Sequence, residues 1–217
     1  MKNILVIIAL ILLLSSCKKD ISPENPYVNC PYGNNLVAMT DPTIKSYGFI
    51  PLSLTNYWIY SDSIWQDGVL QPLTYDTLSV ISAEKTGEDT WWKMSDGYRL
   101  CNDDDKVYKL GFFGYAMPGT TVCPEKALLF FPVQADTTII WTEWISDYGI
   151  LGEAKLNKSI IHTGAGDFSD FFEYNQSDAI GVNYRWIKPG LGIIKTIQEN
   201  SFNKTRMVRT LVSYRTS

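Results

Sequence analysis

Short runs of aromatic and β-branched residues, separated by clusters of turn-forming residues, most limit what this chain can fold into. Tyr57-Trp58-Ile59-Tyr60, Thr77-Leu78-Ser79-Val80-Ile81, Trp91-Trp92-Lys93-Met94 and Ile139-Ile140-Trp141 carry the residue types that fit a pleated, half-buried surface. Ala154 to Thr163, Gly192 to Ile197 and Met207 to Tyr214 do the same. Between the runs fall Gln66-Asp67-Gly68, Lys85-Thr86-Gly87-Glu88-Asp89, Asp96-Gly97, Asn102-Asp103-Asp104-Asp105 and Lys188-Pro189-Gly190. Gly, Asn, Asp and Pro favour tight turns by known backbone preferences, so these clusters punctuate strands. The pattern predicts a mainly β domain, a single antiparallel meander forming a curved sheet, half-barrel or barrel. Two windows read instead as short helices. Pro124-Glu125-Lys126-Ala127-Leu128-Leu129-Phe130 has Pro at a first-turn position, and Asp167 to Phe172 has a capping aspartate and helical apolar spacing.

The amino-terminal segment carries a different signal. Lys2 is followed by an unbroken apolar run from Ile4 to Leu14, and then by Leu14-Ser15-Ser16-Cys17. Eleven apolar residues, at about 1.5 Å each, reach only about half of a ~30 Å hydrocarbon core. A short apolar run ending in small residues reads as a secretory signal rather than a span. Leu14-Ser15-Ser16-Cys17 resembles the lipobox of bacterial lipoproteins. That resemblance implies cleavage before Cys17, a diacylglyceryl group on its thiol and an acyl chain, such as palmitate, on its new amine. Two or more buried chains, at about 0.8 kcal/mol per methylene, hold a protein on a bilayer almost permanently. Lys18 stands where an inner-membrane-retained lipoprotein of the enterobacterial type carries Asp, so the resemblance implies the outer membrane. It leaves periplasmic and surface faces both open. The expected organisation is a signal peptide over 1–16, a lipidated tether over 17–45 and a β-rich globular domain over 46–217. The tether reading rests on Pro23, Pro26, Pro31, Gly33 and Pro42, which continue neither a helix nor a central strand.

A second resemblance concerns the body of the chain. Phe49 to Tyr60, Gly164-Ala165-Gly166-Asp167-Phe168-Ser169-Asp170 and Trp186 to Lys195 look like the strand-and-turn punctuation of envelope lipoproteins of unknown function. Similar sheets in lipoprotein-carrier proteins form half-barrels with an apolar inner face. The resemblance implies a fold and no activity.

Other function classes lack their residues. The net charge is −4 and no Lys/Arg-rich run exists, so the electrostatic footprint of nucleic-acid binding is missing. His162 is the only histidine, in a strand-like run, and there is no Gly-x-Ser-x-Gly elbow. We therefore expect no catalytic residues and no enzyme. One histidine and scattered cysteines argue against a transition-metal centre, and Asn102 to Asp105 reads as a hairpin turn rather than a calcium loop. No cofactor is expected. Glu143, Asp147, Glu153 and Glu173 keep a carbohydrate hydrolase open, since spatial separation decides that chemistry. Beyond Cys17 the chain has Cys30, Cys101 and Cys123. In an exported protein Cys101 and Cys123 are the candidate disulfide, although unpaired thiols fit the sequence nearly as well.

The remaining candidate is apolar. Phe112, Phe113, Tyr115 and Met117 lie in a Gly-flanked loop too irregular for a strand, which suits a cover over a cavity or a contact surface. The expected function is a lipid-anchored envelope protein whose β domain binds or scaffolds an envelope partner. The alternatives are a carrier of a lipid or apolar ligand in a half-barrel, and the hydrolase. Replacing Cys17 by Ala is expected to move the protein from the membrane pellet to the soluble fraction. A variant that still pellets with membranes would remove the anchor.

Overall fold

The computed structural model describes residues 36–41, 43–111, 124–145 and 148–217. Among them there are eighteen strands and no helix. The strands are β1 (Val37–Ala38), β2 (Lys45–Ser46), β3 (Leu52–Ser53), β4 (Tyr57–Gln66), β5 (Val69–Leu70) and β6 (Thr74–Thr86). Then come β7 (Asp89–Met94), β8 (Arg99–Asp103), β9 (Lys106–Gly111), β10 (Glu125–Phe130), β11 (Thr138–Ile145) and β12 (Tyr148–Asn157). The last six are β13 (Ile161–Thr163), β14 (Gly166–Phe168), β15 (Phe171–Ser177), β16 (Gly181–Lys188), β17 (Gly192–Asn200) and β18 (Thr205–Arg215). Fourteen of them form one antiparallel sheet in the order β10-β9-β8-β7-β6-β4-β18-β17-β16-β15-β12-β11, with β1 beside β6 and β5 beside β4.

The tight turns follow the expected punctuation. Gln66 pairs with Val69 across Asp67-Gly68, whose φ values of 51° and 80° suit a two-residue hairpin. Asp103 pairs with Lys106 across Asp104-Asp105, so the acidic run is a hairpin turn.

β6 sets the shape. Its first half pairs with β4, from Tyr57↔Ser79 to Asp62↔Thr74, and its second half pairs with β7, from Val80↔Met94 to Thr86↔Asp89. The register shifts between Val80 and Ser82, an irregularity that bends a strand. One arm, β7 to β10, continues from the second half of β6. The other arm runs from β4 through β18 to β11. A single buried cluster draws on both, joining Trp92, Met94, Val107 and Phe130 to Trp58, Tyr174, Ile187 and Leu211. The sheet is therefore curled with its arms facing across one core. It does not close: β10 and β11 end the hydrogen-bonded path and are not paired with each other.

The crossing from β10 to β11 is fixed by aromatic side chains. The Phe131 ring packs edge-on against Trp141 at 5.5 Å and Tyr174 at 5.6 Å. The Phe131 amide donates to the Tyr174 hydroxyl at 3.1 Å, and that hydroxyl donates to the Phe131 carbonyl. Gly152 lets Trp141 lie flat on β12, because a Cβ there would sit 2.1 Å from the indole ring.

Both short helical windows are strands. Glu125–Phe130 pairs with β9, from Glu125↔Gly111 to Phe130↔Val107. The edge of β9 supplies hydrogen bonds that outweigh the helix preference of Glu, Lys, Ala and Leu. In the second window Gly166–Phe168 folds back on β13, and Asp170 adopts φ 51°, which no right-handed helix permits.

Trp58 is 1% exposed and its indole N–H donates to the Leu191 carbonyl at 2.7 Å. Trp58→Ala is expected to cost about 3–5 kcal/mol in urea unfolding. Phe202→Ser, at a residue 91% exposed, is expected to change stability by no more than about 0.5 kcal/mol. Similar midpoints for the two variants would contradict this core.

Candidate functional site

The strand register places one row of side chains across the inner face. Asp62 of β4 stands opposite Arg209 of β18, Arg209 opposite Thr196 of β17, Thr196 opposite Arg185 of β16 and Arg185 opposite Tyr174 of β15. On one side of this row lie Tyr60, Leu211 and Ile194, all buried. On the other lie Met207, Gln198, Asn183 and Gln176, in the same register. The inner face is apolar at one end and polar at the other because the sequence alternates differently along the same strands.

Space remains between the arms. A cavity of about 230 Å³ is bounded by Ile50 and Trp58 at its closed end, by Leu78, Met94 and Leu100 from the first arm, and by Leu129 and Phe130 of β10. Arg185, Gln198 and Met207 line it at the other end and also line a second, more open space of about 580 Å³. There the walls are Gln176, Asp178, Asn183, Glu199 and Asn200. The two spaces form one groove along the strands, with an apolar blind end and a polar mouth. Ile50 is held at the blind end because its carbonyl accepts from Asn102 Nδ2 at 2.9 Å, and the preceding Phe49 carbonyl accepts the Gly190 amide at 3.2 Å.

The charges in the groove are unequal. Arg209 Nε and Nη2 donate to Asp62 Oδ1 and Oδ2 at 2.8 and 2.7 Å, and Nη2 also reaches Asp76 Oδ2 at 2.9 Å. The bonds from Asp62 hold the Arg209 guanidinium above its ordinary pKa, against the effect of burial. Lys109 Nζ lies 4.0 Å above the Tyr98 ring. Asp96 Oδ1 accepts the Tyr98 amide at 3.1 Å. Arg185 is different: among the described residues its one hydrogen bond runs from Nη1 to Gln176 Oε1 at 2.9 Å, and no carboxylate lies within ion-pair distance. Burial lowers its pKa from the ordinary arginine value. Asn183 Oδ1, at the mouth, is buried and accepts no hydrogen bond from the described residues.

The residues singled out by sequence are mostly elsewhere. Phe112, Phe113, Tyr115 and Met117 lie outside the described residues, as do Cys17, Cys30 and Cys123. Cys101 is 2% exposed on β8, and burial, aided by the Asp89 carboxylate, pushes its thiol up to about 11. His162 sits in the exposed β13–β14 hairpin with Nδ1 2.7 Å from Asp167 Oδ1, away from the groove. Lys155 Nζ lies between Glu153 at 3.7 Å and Glu173 at 3.5 Å, on the face opposite the inner row. Asp147 and the Glu143 side chain lie outside the described residues. The groove residues, Arg185 above all, were not singled out. Arg185 sits in Gly181-Val182-Asn183-Tyr184-Arg185-Trp186, where alternation puts it on the same face as Asn183, the one sequence signal that marks it as inward.

No protein-family model matches the chain, and no curated protein matches it. Two solved structures are similar to it over 78% of its length. One is a candidate lipoprotein from Parabacteroides distasonis, with 14% identity, a TM-score of 0.43 and 99% of that chain covered. The other is a candidate exported protein with a YmcC-like fold from Bacteroides fragilis, with 13% identity, a TM-score of 0.43 and the whole of that chain covered. Function has to be read from this chain's own groove.

Asp62 is the counter-ion that makes Arg209 tolerable on the inner face. Asp62→Asn is expected to lower stability by about 3 kcal/mol, because a half-buried guanidinium loses its main partner. Asp76→Asn, at an exposed side chain, is expected to cost less than about 1 kcal/mol. Equal urea midpoints for the two variants would contradict this division of roles.

Proposed function

We propose that this chain is a lipid-anchored protein of the outer membrane whose β domain binds a small, largely apolar ligand between the arms of its sheet, without transforming it. The observation that carries the reading is the apolar blind end of the groove, closed by Ile50 and Trp58 and walled by both arms. Ligand sites are commonly concave, mostly apolar and provided with a few polar groups that fix orientation, and this groove has that composition. The sequence resemblance to a lipobox at Cys17 supports the anchor, and Lys18 supports the outer membrane.

A protein-contact reading has one observation behind it. Val69, Leu70, Leu73 and Tyr75, around the short strand β5, are each more than half exposed. Clustered apolar side chains in solvent mark contact surfaces.

Native mass spectrometry after mild extraction separates the two. The expected result is a co-purified small molecule that is released on activation and is missing from Leu129→Trp, which fills the cavity. Protein that is bare in both forms, with a neighbour captured by crosslinking at Leu70 or Tyr75, would replace ligand binding by scaffolding.

A further inference from the structure

The groove contains a charge, Arg185, without a counter-ion among the described residues, and the nature of that charge narrows the ligand class. The inference rests on the reading of the groove as a ligand site and adds what the ligand must carry. A guanidinium has five N–H donors, and Arg185 spends one of them on Gln176. The other cations of the cavity have partners: Arg209 has Asp62 and Asp76, and Lys109 has the Tyr98 ring. The carboxylate that shares this cavity, Asp96, is turned to the Tyr98 amide. Taking a guanidinium partly out of water without an anion is costly, and burial already weakens its hold on the proton. A protein fold has little reason to place such a group on an inner face unless something anionic completes it.

The shape of the charge matters as much as its sign. Guanidinium is a planar fork that matches a carboxylate by two parallel hydrogen bonds. Arg185 stands at the junction of the apolar and polar sections, since it lines both. An anion held there has an apolar pocket on one side and the open mouth on the other.

The pocket also limits length. Arg185 is two residues along β16 from Ile187, which pairs with Ile193 at the blind end, and that is about 7 Å at ~3.4 Å per residue. An apolar cavity of about 150 Å³ takes benzene, roughly 25 Å³ per carbon, so 230 Å³ suits about eight or nine carbons. Depth and volume are both on the scale of one medium-length chain.

We propose that the groove binds a medium-chain monocarboxylic acid, with its carboxylate on Arg185 and its chain directed toward Ile50 and Trp58. The polar mouth beyond Arg185 remains solvated in this arrangement, with Gln176 and Asn183 beside the headgroup.

The test uses the full chain carrying Cys17→Ala, titrated by calorimetry with octanoate and with octanol, which share a chain and differ in the head. Octanoate is expected to bind at least about tenfold more tightly, the scale of a hydrogen-bonded charge pair. Arg185→Met is expected to remove that preference, and Arg185→Lys to retain part of it. Equal binding of octanoate and octanol to the Arg185 chain would overturn the carboxylate assignment and leave the apolar site standing. A preference that survives Arg185→Met would also overturn it. If neither compound binds the Arg185 chain, the reading of the groove as a ligand site falls and takes this inference with it.

Discussion

The contact between the two arms of the sheet, made by large apolar side chains on its inner face, is what the rest of the molecule depends on. A fourteen-stranded antiparallel sheet left flat would expose both faces and offer two open edges for aggregation. Here β6 belongs to both arms, and the irregularity at Val80 to Ser82 lets them turn toward each other. Trp58, Trp92, Phe130 and Tyr174 then pack into one cluster. At about 25 cal/mol per Å² of apolar surface removed from water, aromatic side chains of this size dominate the stabilisation. The Tyr174 hydroxyl and the Phe131 backbone tie the free end of one arm to the middle of the other. The edges β10 and β11 stay unpaired with each other.

The same arrangement produces the groove. Where both arms present large residues the space is filled, and where β16, β17 and β18 present Arg185, Thr196 and Met207 it is not. The cavity is a consequence of packing two curved surfaces with unequal side chains. Its electrostatics follow from register alone. Arg209 falls opposite Asp62 and is neutralised, whereas Arg185 falls between Thr196 and Tyr174, which carry no charge to match it. Two strands separate the two guanidinium groups: Arg209 ties β18 to β4 through Asp62, and Arg185 on β16 is bonded to Gln176.

Much of the fold was legible in the sequence, and the reasons are local. Turn clusters such as Asp67-Gly68 and Asp103 to Asp105 mark hairpins because few residues tolerate positive φ, and the aromatic runs around Trp58, Trp92 and Trp141 mark strands because they need half-buried surfaces. Glu125 to Phe130 misleads because intrinsic preference is weak beside the hydrogen bonds of an open strand edge. Asp167 to Phe172 misleads because two separate strands happen to share helical apolar spacing. The site was scarcely legible. Arg185 acquires its meaning from Thr196 and Tyr174, eleven residues away in each direction, and from Met94 and Phe130, which lie far away in sequence. No motif records such a meeting. The aromatic segment Phe112 to Met117 stands out because composition is visible in a sequence, whereas the lack of a carboxylate beside Arg185 among the described residues is visible only after folding.

The central claim is that a largely apolar space persists between the arms. Xenon enters such spaces and avoids wet polar ones, so a crystal of the β domain pressurised with xenon examines the claim directly. The account predicts xenon density bounded by Trp58, Leu78, Met94 and Met207. Ordered water filling that volume, or side chains collapsed into it so that no xenon enters, would contradict it.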